Sequence, residues 1–157
     1  MMPMEINQAY IEKYGLDSEW ELMRVQAELQ IAVWMDVIPD SDLDALEDRR
    51  TKKNQTIKKE LEEGKTVYGT RYYTPAMYLQ YELTRVKLDF TVYREEKLGP
   101  YTLHKVTEEE KKAFYDENRD LFTRYFGDSF RYEEVRMIIE KRLKEKEYEN
   151  IVQDILC

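Results

Sequence analysis

The sequence predicts an all-α fold, an irregular bundle of about five to six helices from which one long helix protrudes. Three observations support this fold class. Apolar residues recur at helical spacing, whereas 5 glycines and 4 prolines are too few for a turn-rich β fold. Charged residues make up 37% of the chain, which is typical of helices with wide solvated faces. The 2 Trp, 13 Tyr and 5 Phe side chains argue against disorder.

The length suits one domain with its own core, and we predict a single helical domain over residues 1–157. The formal net charge is −8, and the first 50 residues carry all of it, with 12 acidic and 4 basic side chains. The remainder is balanced and contains no dense basic patch. Nucleic acid is therefore not an expected partner.

The sequence as given begins without the basic-then-apolar pattern of a signal peptide. Its longest uninterrupted apolar run, Ile31–Met35, is far shorter than a bilayer requires, so no membrane span is expected. Cys157 is the single cysteine. An internal disulfide and a cysteine-based metal site are thereby excluded.

Two helices are predicted at the start of the chain. Residues 5–14 place apolar side chains at helical spacing and end at Gly15, a favourable residue for a helix stop. Ser18, followed by Glu21, fits a capping box. It would open a second helix over Trp20–Ile38, which is apolar on almost every side near its end. We therefore expect this helix at the centre of the core.

A third helix, Asp42–Glu63, is predicted between Ser41 as its N-cap and Gly64 as its stop. Its middle, RRTKKNQT (49–56), has no large apolar residue, so it either projects into solvent or packs through the aliphatic stems of Arg and Lys. Such a long, thinly apolar helix is expected to form an arm. Its apolar stripe consists of Leu43, Leu46, Ile57 and Leu61.

A fourth helix is predicted from Pro75 to about Glu96, with Thr74 as its N-cap and proline at its first position. The segment KLDFTVY (87–93) alternates, which leaves an extended conformation as the alternative. The preceding pattern favours the helix. Gly-Pro at 99–100 then breaks the chain, and residues 100–105 are predicted to be a linker or a short extended segment.

The last third, residues 106–156, is predicted to be a pair of helices with a brief connection. Thr107 with Glu110 fits a second capping box, which opens a helix to about Phe122. The final helix is predicted to begin near Tyr132, after which apolar residues recur at helical intervals.

The most unusual local feature is a Tyr-rich segment on either side of the fourth helix's start. Aromatic rings with polar tips suit shallow surfaces that hold extended peptides, and they could equally bind sugars. The alternative is a seam between helices in which each hydroxyl meets water or backbone. The candidate peptide-binding residues are Tyr68, Tyr72, Tyr73, Met77, Tyr78 and Tyr81.

No motif predicts catalysis or a cofactor. The acidic run DSDLD (40–44) resembles part of a calcium loop, but it lacks the central glycine and places Thr51 at the twelfth position. His104 is the sole histidine and is expected to be an ordinary surface residue. Nucleotide-binding, nucleophile-elbow and zinc-protease motifs are absent from the sequence. We therefore expect no catalytic residue, metal or cofactor.

Three segments resemble a known family. VTEEEKKAFYDENRDLF (106–122) is similar to the helix before the parvulin domain of SurA/PrsA-type foldases, and residues 132–155 are similar to their closing helix. The stretch VYG…YYT…Y (67–78) after a long helix looks like the N-terminal half of SurA N-terminal-like proteins. Only the short break Thr123–Tyr132 stands where those foldases carry the parvulin domain, so the matching His and Cys residues are missing.

The resemblance implies a non-catalytic, peptide-binding chaperone module, located outside the cytoplasm, that holds unfolded or extended polypeptide. Adaptable Met and Tyr side chains would suit varied clients. Two alternatives stay open from the residues themselves. One is a structural or assembly module that forms a helical homodimer. The other is a carbohydrate-associated accessory protein that uses the Tyr-rich segment.

Overall fold

The computed structural model describes residues 4–124 and 127–157. Within these residues the fold is all-α, as predicted, and the regular β structure is one two-stranded antiparallel hairpin. None of the described helices is long and apolar enough to cross a membrane. The α-helices are α1 Met4–Tyr14, α2 Glu19–Trp34, α3 Leu43–Glu62, α4 Pro75–Val92, α5 Glu108–Glu117 and α6 Tyr132–Leu156. The strands are β1 Lys97–Leu98 and β2 Tyr101–Thr102, and a 3-10 helix covers Arg119–Phe122.

The predicted helix starts are confirmed where a side chain caps the backbone. The hydroxyl of Ser18 accepts the Glu21 N–H at 3.2 Å, and the hydroxyl of Thr74 accepts the N–H of the third helical residue at 3.3 Å. Thr107 and Glu110 form both halves of a capping box. These contacts are local in sequence, which is why the sequence alone predicts them.

The predicted N-cap of α3 is wrong by one residue. Asp42, rather than Ser41, occupies the N-cap position, with extended backbone and no side-chain capping bond. The Ser41 hydroxyl instead donates to the side-chain oxygen of Gln30 at 3.4 Å. A contact to α2 therefore takes the hydroxyl away from the helix end.

The second helix ends four residues earlier than predicted, at Trp34. Asp36 takes a positive φ of 63°, and the N–H groups of Asp36 and Val37 bond to the carbonyls of Val33 and Ala32. This is a Schellman arrangement, in which a left-handed residue after the helix satisfies its last carbonyls. The turn closes the helix before the proline at position 39 is reached.

The fourth helix also ends four residues early, at Val92. The chain then enters the hairpin, whose turn holds Gly99 at a φ of +55°. A Cβ at this position would lie 2.5 Å from the ring of Trp34, so only glycine fits here. The extended alternative for residues 87–93 is wrong, because residues 87–92 continue the helix and only Tyr93, its C-cap, has extended backbone.

The connection between the last two helices differs from a simple loop. The helix α5 ends at Glu117, five residues before the predicted end, and the 3-10 helix continues to Phe122. An isolated antiparallel bridge joins Thr123 to Ser129. The predicted break, Thr123–Tyr132, includes residues 125 and 126, which lie outside the described residues.

Two clusters of buried side chains hold the fold, and α6 contributes to both. The main core packs α1, α2, the first turn of α3, α4, the hairpin and the C-terminal half of α6. Its fully buried members include Leu29, Ile31, Leu46, Leu79, Phe90, Tyr148 and Val152. The satellite cluster joins α5 and the 3-10 helix to the N-terminal half of α6 through Tyr115, Phe122, Val135 and Ile139. Burial of each large apolar side chain contributes about 1.5–3 kcal/mol.

The helix α3 is buried at its beginning and exposed at its end. Leu43 and Leu46 enter the main core, whereas Lys58 and the residues that follow it are largely exposed. In its middle, Arg49 and Arg50 are half-buried and ion-paired. The segment between α3 and α4 runs back along this middle part, which brings the Tyr-rich segment against α3.

Candidate functional site

The six predicted site residues differ sharply in exposure. Tyr68 is 92% exposed, Tyr72 61% and Met77 44%, whereas Tyr78 is 6% exposed. Two further tyrosines are half-buried. We call the six together the Tyr-rich surface: Tyr68, Tyr72, Tyr73, Met77, Tyr78 and Tyr81.

Three rings form the centre of the Tyr-rich surface. Tyr73 contacts Tyr78 edge-to-face at 5.6 Å between ring centroids, and it contacts Tyr81 at 5.4 Å. Tyr78 and Tyr81 are 5.7 Å apart. Such tilted contacts are the favourable geometries for aromatic pairs. Because Tyr78 belongs to the main core, it anchors the two outer rings.

Burial, and then the neighbouring carboxylate of Glu82, raise the pKa of the Tyr78 hydroxyl. Glu82 is itself buried and accepts two N–H groups of Arg49, at 2.9 Å each. This doubly bonded pair satisfies a carboxylate that would otherwise be costly to bury. It also links α3 to α4 directly beneath the ring cluster.

Two side chains of α3 hold the backbone of the segment in place. The amide of Asn54 accepts the Tyr73 N–H at 2.8 Å and donates to its carbonyl at 3.0 Å. Arg50 donates to the same carbonyl at 2.8 Å and to the hydroxyl of Tyr72 at 3.3 Å. Glu47 pairs with Arg50 and raises the pKa of the guanidinium further. The Tyr-rich surface is therefore fixed by hydrogen bonds, not only by apolar packing.

The sequence did not identify Arg50 and Asn54 as site residues. They belong to RRTKKNQT (49–56), which was expected to project into solvent or to pack through aliphatic stems. Their contacts to Tyr73 cross 23 and 19 residues of sequence. The only unusual feature of that stretch in the sequence is its lack of large apolar residues, which does not indicate what the polar side chains contact.

Two shallow grooves flank the segment. The α4 groove has a volume of about 750 Å³ and combines ring faces with amide, hydroxyl and charged groups. The α3 groove, of about 640 Å³, is more basic. The α4 groove is lined by Thr70, Tyr73, Ala76, Met77, Gln80, Tyr81, Thr84, Arg85, Leu88 and Asp89. The α3 groove is lined by Arg50, Thr51, Asn54, Gln55, Lys58, Leu61, Glu62, Arg71 and Tyr72.

The histidine and the acidic run 40–44 make local contacts that are structural. His104 is exposed, and its Nε2 lies 2.6 Å from a carboxylate oxygen of Glu110. The carboxylate of Asp40 accepts the Asp42 N–H at 2.8 Å, which is a turn contact. Within residues 4–124 and 127–157, no group of three or more His, Cys, Asp or Glu side chains is placed to hold a metal ion.

Comparison with solved structures finds similarity to a glycoside hydrolase. Two crystal structures of a GH136 lacto-N-biosidase from Eubacterium ramulus, one native and one a selenomethionine derivative, superpose with TM-scores of 0.76 and 0.77. The sequences are 34% identical over 85% of this chain. The match spans only 27% of the lacto-N-biosidase chain. No protein-family model and no curated protein matches the sequence.

The resemblance to SurA/PrsA-type foldases is therefore wrong, and the peptide-holding chaperone function that it implied is wrong with it. The matched solved structures are those of a glycoside hydrolase, and no family model supports the foldase assignment. Amphipathic helices rich in Glu, Lys and Tyr occur in many all-α proteins, so the quoted segments were not specific. Over most of its length, the chain is similar to about a quarter of a lacto-N-biosidase.

Proposed function

We propose that this chain is a carbohydrate-binding accessory module of a lacto-N-biosidase-type glycoside hydrolase. The observation that carries the proposal is the extent of the match: 34% identity over 85% of this chain, against 27% of the enzyme. A region of that size is a domain-sized part of the enzyme. The module would work beside a catalytic region that corresponds to the part of the enzyme without a counterpart here.

The buried carboxylate with a raised pKa and the carboxylate in the α4 groove both have partners within the chain. Glycosidases use two carboxyl groups that flank the bond to be cleaved, and one of them has a raised pKa. Burial raises the pKa of Glu28, but this residue lies in the main core, where it accepts the Tyr148 hydroxyl at 2.9 Å. In the α4 groove, Asp89 is paired with Arg85 at 3.8 Å. In our proposal the acid and the nucleophile or base therefore come from the catalytic region.

The α4 groove has the chemistry that a sugar requires. A pyranose ring presents C–H groups that pack on an aromatic face and hydroxyls that need both donors and acceptors. Tyr73 and Tyr81 supply the faces, and Met77 adds an adaptable apolar contact. Gln80 supplies a donor and an acceptor, and Asp89 an acceptor. The groove is open and shallow, which suits a non-covalent site for an oligosaccharide end.

The test is calorimetric titration of the purified chain with an oligosaccharide that ends in lacto-N-biose. We expect binding, and we expect Tyr81→Ala to weaken it about two- to tenfold, because a lost aromatic face is worth about 0.5–1.5 kcal/mol. Trp20→Ala removes an exposed ring outside the grooves and is the matched control. Circular dichroism verifies that both variants fold. Absence of binding at millimolar sugar, or equal affinity of wild type and Tyr81→Ala, would contradict the proposal.

A further inference from the structure

The α3 groove differs from the α4 groove in its charge. Three basic side chains, Arg50, Lys58 and Arg71, line it, against the single acidic residue Glu62. The chain as a whole carries a formal charge of −8. A locally basic groove on an acidic protein attracts a negatively charged ligand to one place and repels it elsewhere.

The charge available to a ligand comes from Lys58 and Arg71. Arg50 is already compensated by Glu47 and holds the backbone of Tyr73. Lys58 and Arg71 are exposed, and neither forms an ion pair within the described parts of the chain. Both can therefore turn towards a ligand without breaking an existing contact.

An aromatic face lies beside these charges. The ring of Tyr72 is 61% exposed, and Arg50 holds its hydroxyl at 3.3 Å. Asn54 and Gln55 add amide groups to the same wall. A flat ring that accepts a C–H-rich face, next to two free cations, matches a saccharide with an acidic group. An acidic peptide offers the charge but not the flat apolar face, and nucleic acid offers far more charge than this groove can balance.

We propose that the α3 groove binds the acidic group of a saccharide, a carboxylate or a sulfate ester, through Lys58 and Arg71 while a sugar ring packs on Tyr72. This inference rests on the proposed function, because it assigns an acidic sugar to the same Tyr-rich surface. The α4 groove then accommodates neutral sugar, and the α3 groove provides a preference for charge.

Calorimetric titrations with three matched oligosaccharides test the inference. One is neutral and ends in lacto-N-biose, the second carries one carboxylate sugar, and the third carries one sulfate ester. We expect at least one acidic form to bind about tenfold tighter than the neutral form, since two charge-assisted contacts are added. The preference should fall at 1 M salt, where the screening length is about 3 Å. The acidic form that binds tighter shows whether the groove prefers a carboxylate or a sulfate ester.

Variants separate this inference from the proposed function. The double variant K58Q/R71Q should lose the preference for the acidic form and keep the affinity for the neutral one. K141Q/R142Q, which neutralises two exposed cations of α6, should keep the preference. Equal affinities of wild type for neutral and acidic forms would overturn the inference and leave the proposed function standing. Failure of all three sugars to bind would overturn both, and an oligoglutamate peptide that binds as tightly as the acidic sugar would overturn the assignment to saccharides.

Discussion

Tyr148 in the main core and Tyr72 on the Tyr-rich surface are the same residue type in opposite surroundings. Tyr148 is 0% exposed, its ring lies 5.3 Å from that of Phe90, and its hydroxyl donates to Glu28 at 2.9 Å. Tyr72 keeps most of its ring in solvent, and only its hydroxyl is held, by Arg50. A tyrosine therefore stabilises the fold where both its ring and its hydroxyl have partners. Where only the hydroxyl has a partner, the ring is available to contact a ligand.

Electrostatics sharpen this contrast. Burial raises the pKa of Glu28, although hydrogen bonding from Tyr148 and the charge of Arg24 oppose the shift. Burial and the neighbouring Glu28 raise the pKa of Tyr148, so its hydroxyl remains a neutral donor. Among the described residues, the hydroxyl of Tyr72 is bonded to Arg50 and to no buried acid. The main core therefore contains a pH-sensitive pair.

The largest expected effect comes from replacing each of these two tyrosines with alanine. Tyr148→Ala should lower the free energy of unfolding by about 3–5 kcal/mol, because it opens a cavity in the main core. Tyr72→Ala should change it by less than about 0.5 kcal/mol. Urea denaturation followed by circular dichroism measures both. Similar losses for the two variants would show that the contrast between core and surface tyrosines is mistaken.

A smaller effect is expected where the Tyr-rich surface is fastened to α3. Asn54→Ala removes two hydrogen bonds to the backbone of Tyr73 and should lower the free energy of unfolding by about 1–2 kcal/mol. Gln55→Ala, at the exposed neighbouring position of the same helix, is the control and should be near neutral. Denaturation curves measure the free energy of unfolding of both variants. Equal stabilities would mean that the Asn54 amide does not hold the segment.

The smallest effect is the pH dependence of the pair in the main core. The pKa of Glu28 lies above its usual 4.5 in the folded state, so the folded chain binds more protons in the interval between the two values. The stability contributed by protonated Glu28 is present below pH 4.5 and is lost as pH rises through the raised pKa. The free energy of unfolding of wild type relative to Glu28→Gln should therefore fall over that interval and stay level above it.

The pH experiment compares wild type with Glu28→Gln because other carboxylates change the free energy of unfolding in the opposite direction. Glu47, Glu108, Glu110 and Glu134 have lowered pKa values in the folded chain, from their contacts with basic or hydroxyl partners. Their effect is common to both proteins and cancels. A difference that is flat, or that rises with pH, would contradict the assignment of a raised pKa to Glu28.

The elements could be predicted from the sequence wherever the signal was local. The capping residues Ser18, Thr74 and Thr107 marked three helix starts, because each cap contacts a backbone N–H three residues away. The ends of α2 and α4 were placed four residues too late. The end of α4 depends on the hairpin that packs Gly99 against α2, a tertiary contact that leaves no local pattern. The end of α2 is a local left-handed turn at Asp36, which is not a glycine and so does not mark a helix stop in the sequence.

The candidate site was predictable in composition but not in arrangement. The sequence named the tyrosines, yet it could not show that Tyr78 is buried while Tyr72 is exposed. It also missed Arg50 and Asn54, since their partner lies on another element. The chaperone function implied by the resemblance is wrong because amphipathic periodicity indicates only which face of a helix is buried. It carries no information about a ligand.

The most direct test of the central claim, that the Tyr-rich surface binds carbohydrate, is the ¹³C-methyl NMR signal of Met77. This methionine lines the α4 groove, whereas Met137 is exposed on α6 and serves as the internal control. Met77→Leu and Met137→Leu assign the two signals. On addition of an oligosaccharide that ends in lacto-N-biose, we expect a saturable shift of the Met77 methyl and none of the Met137 methyl. An unchanged Met77 signal at saturating or millimolar sugar, or equal shifts of both methyls, would contradict it.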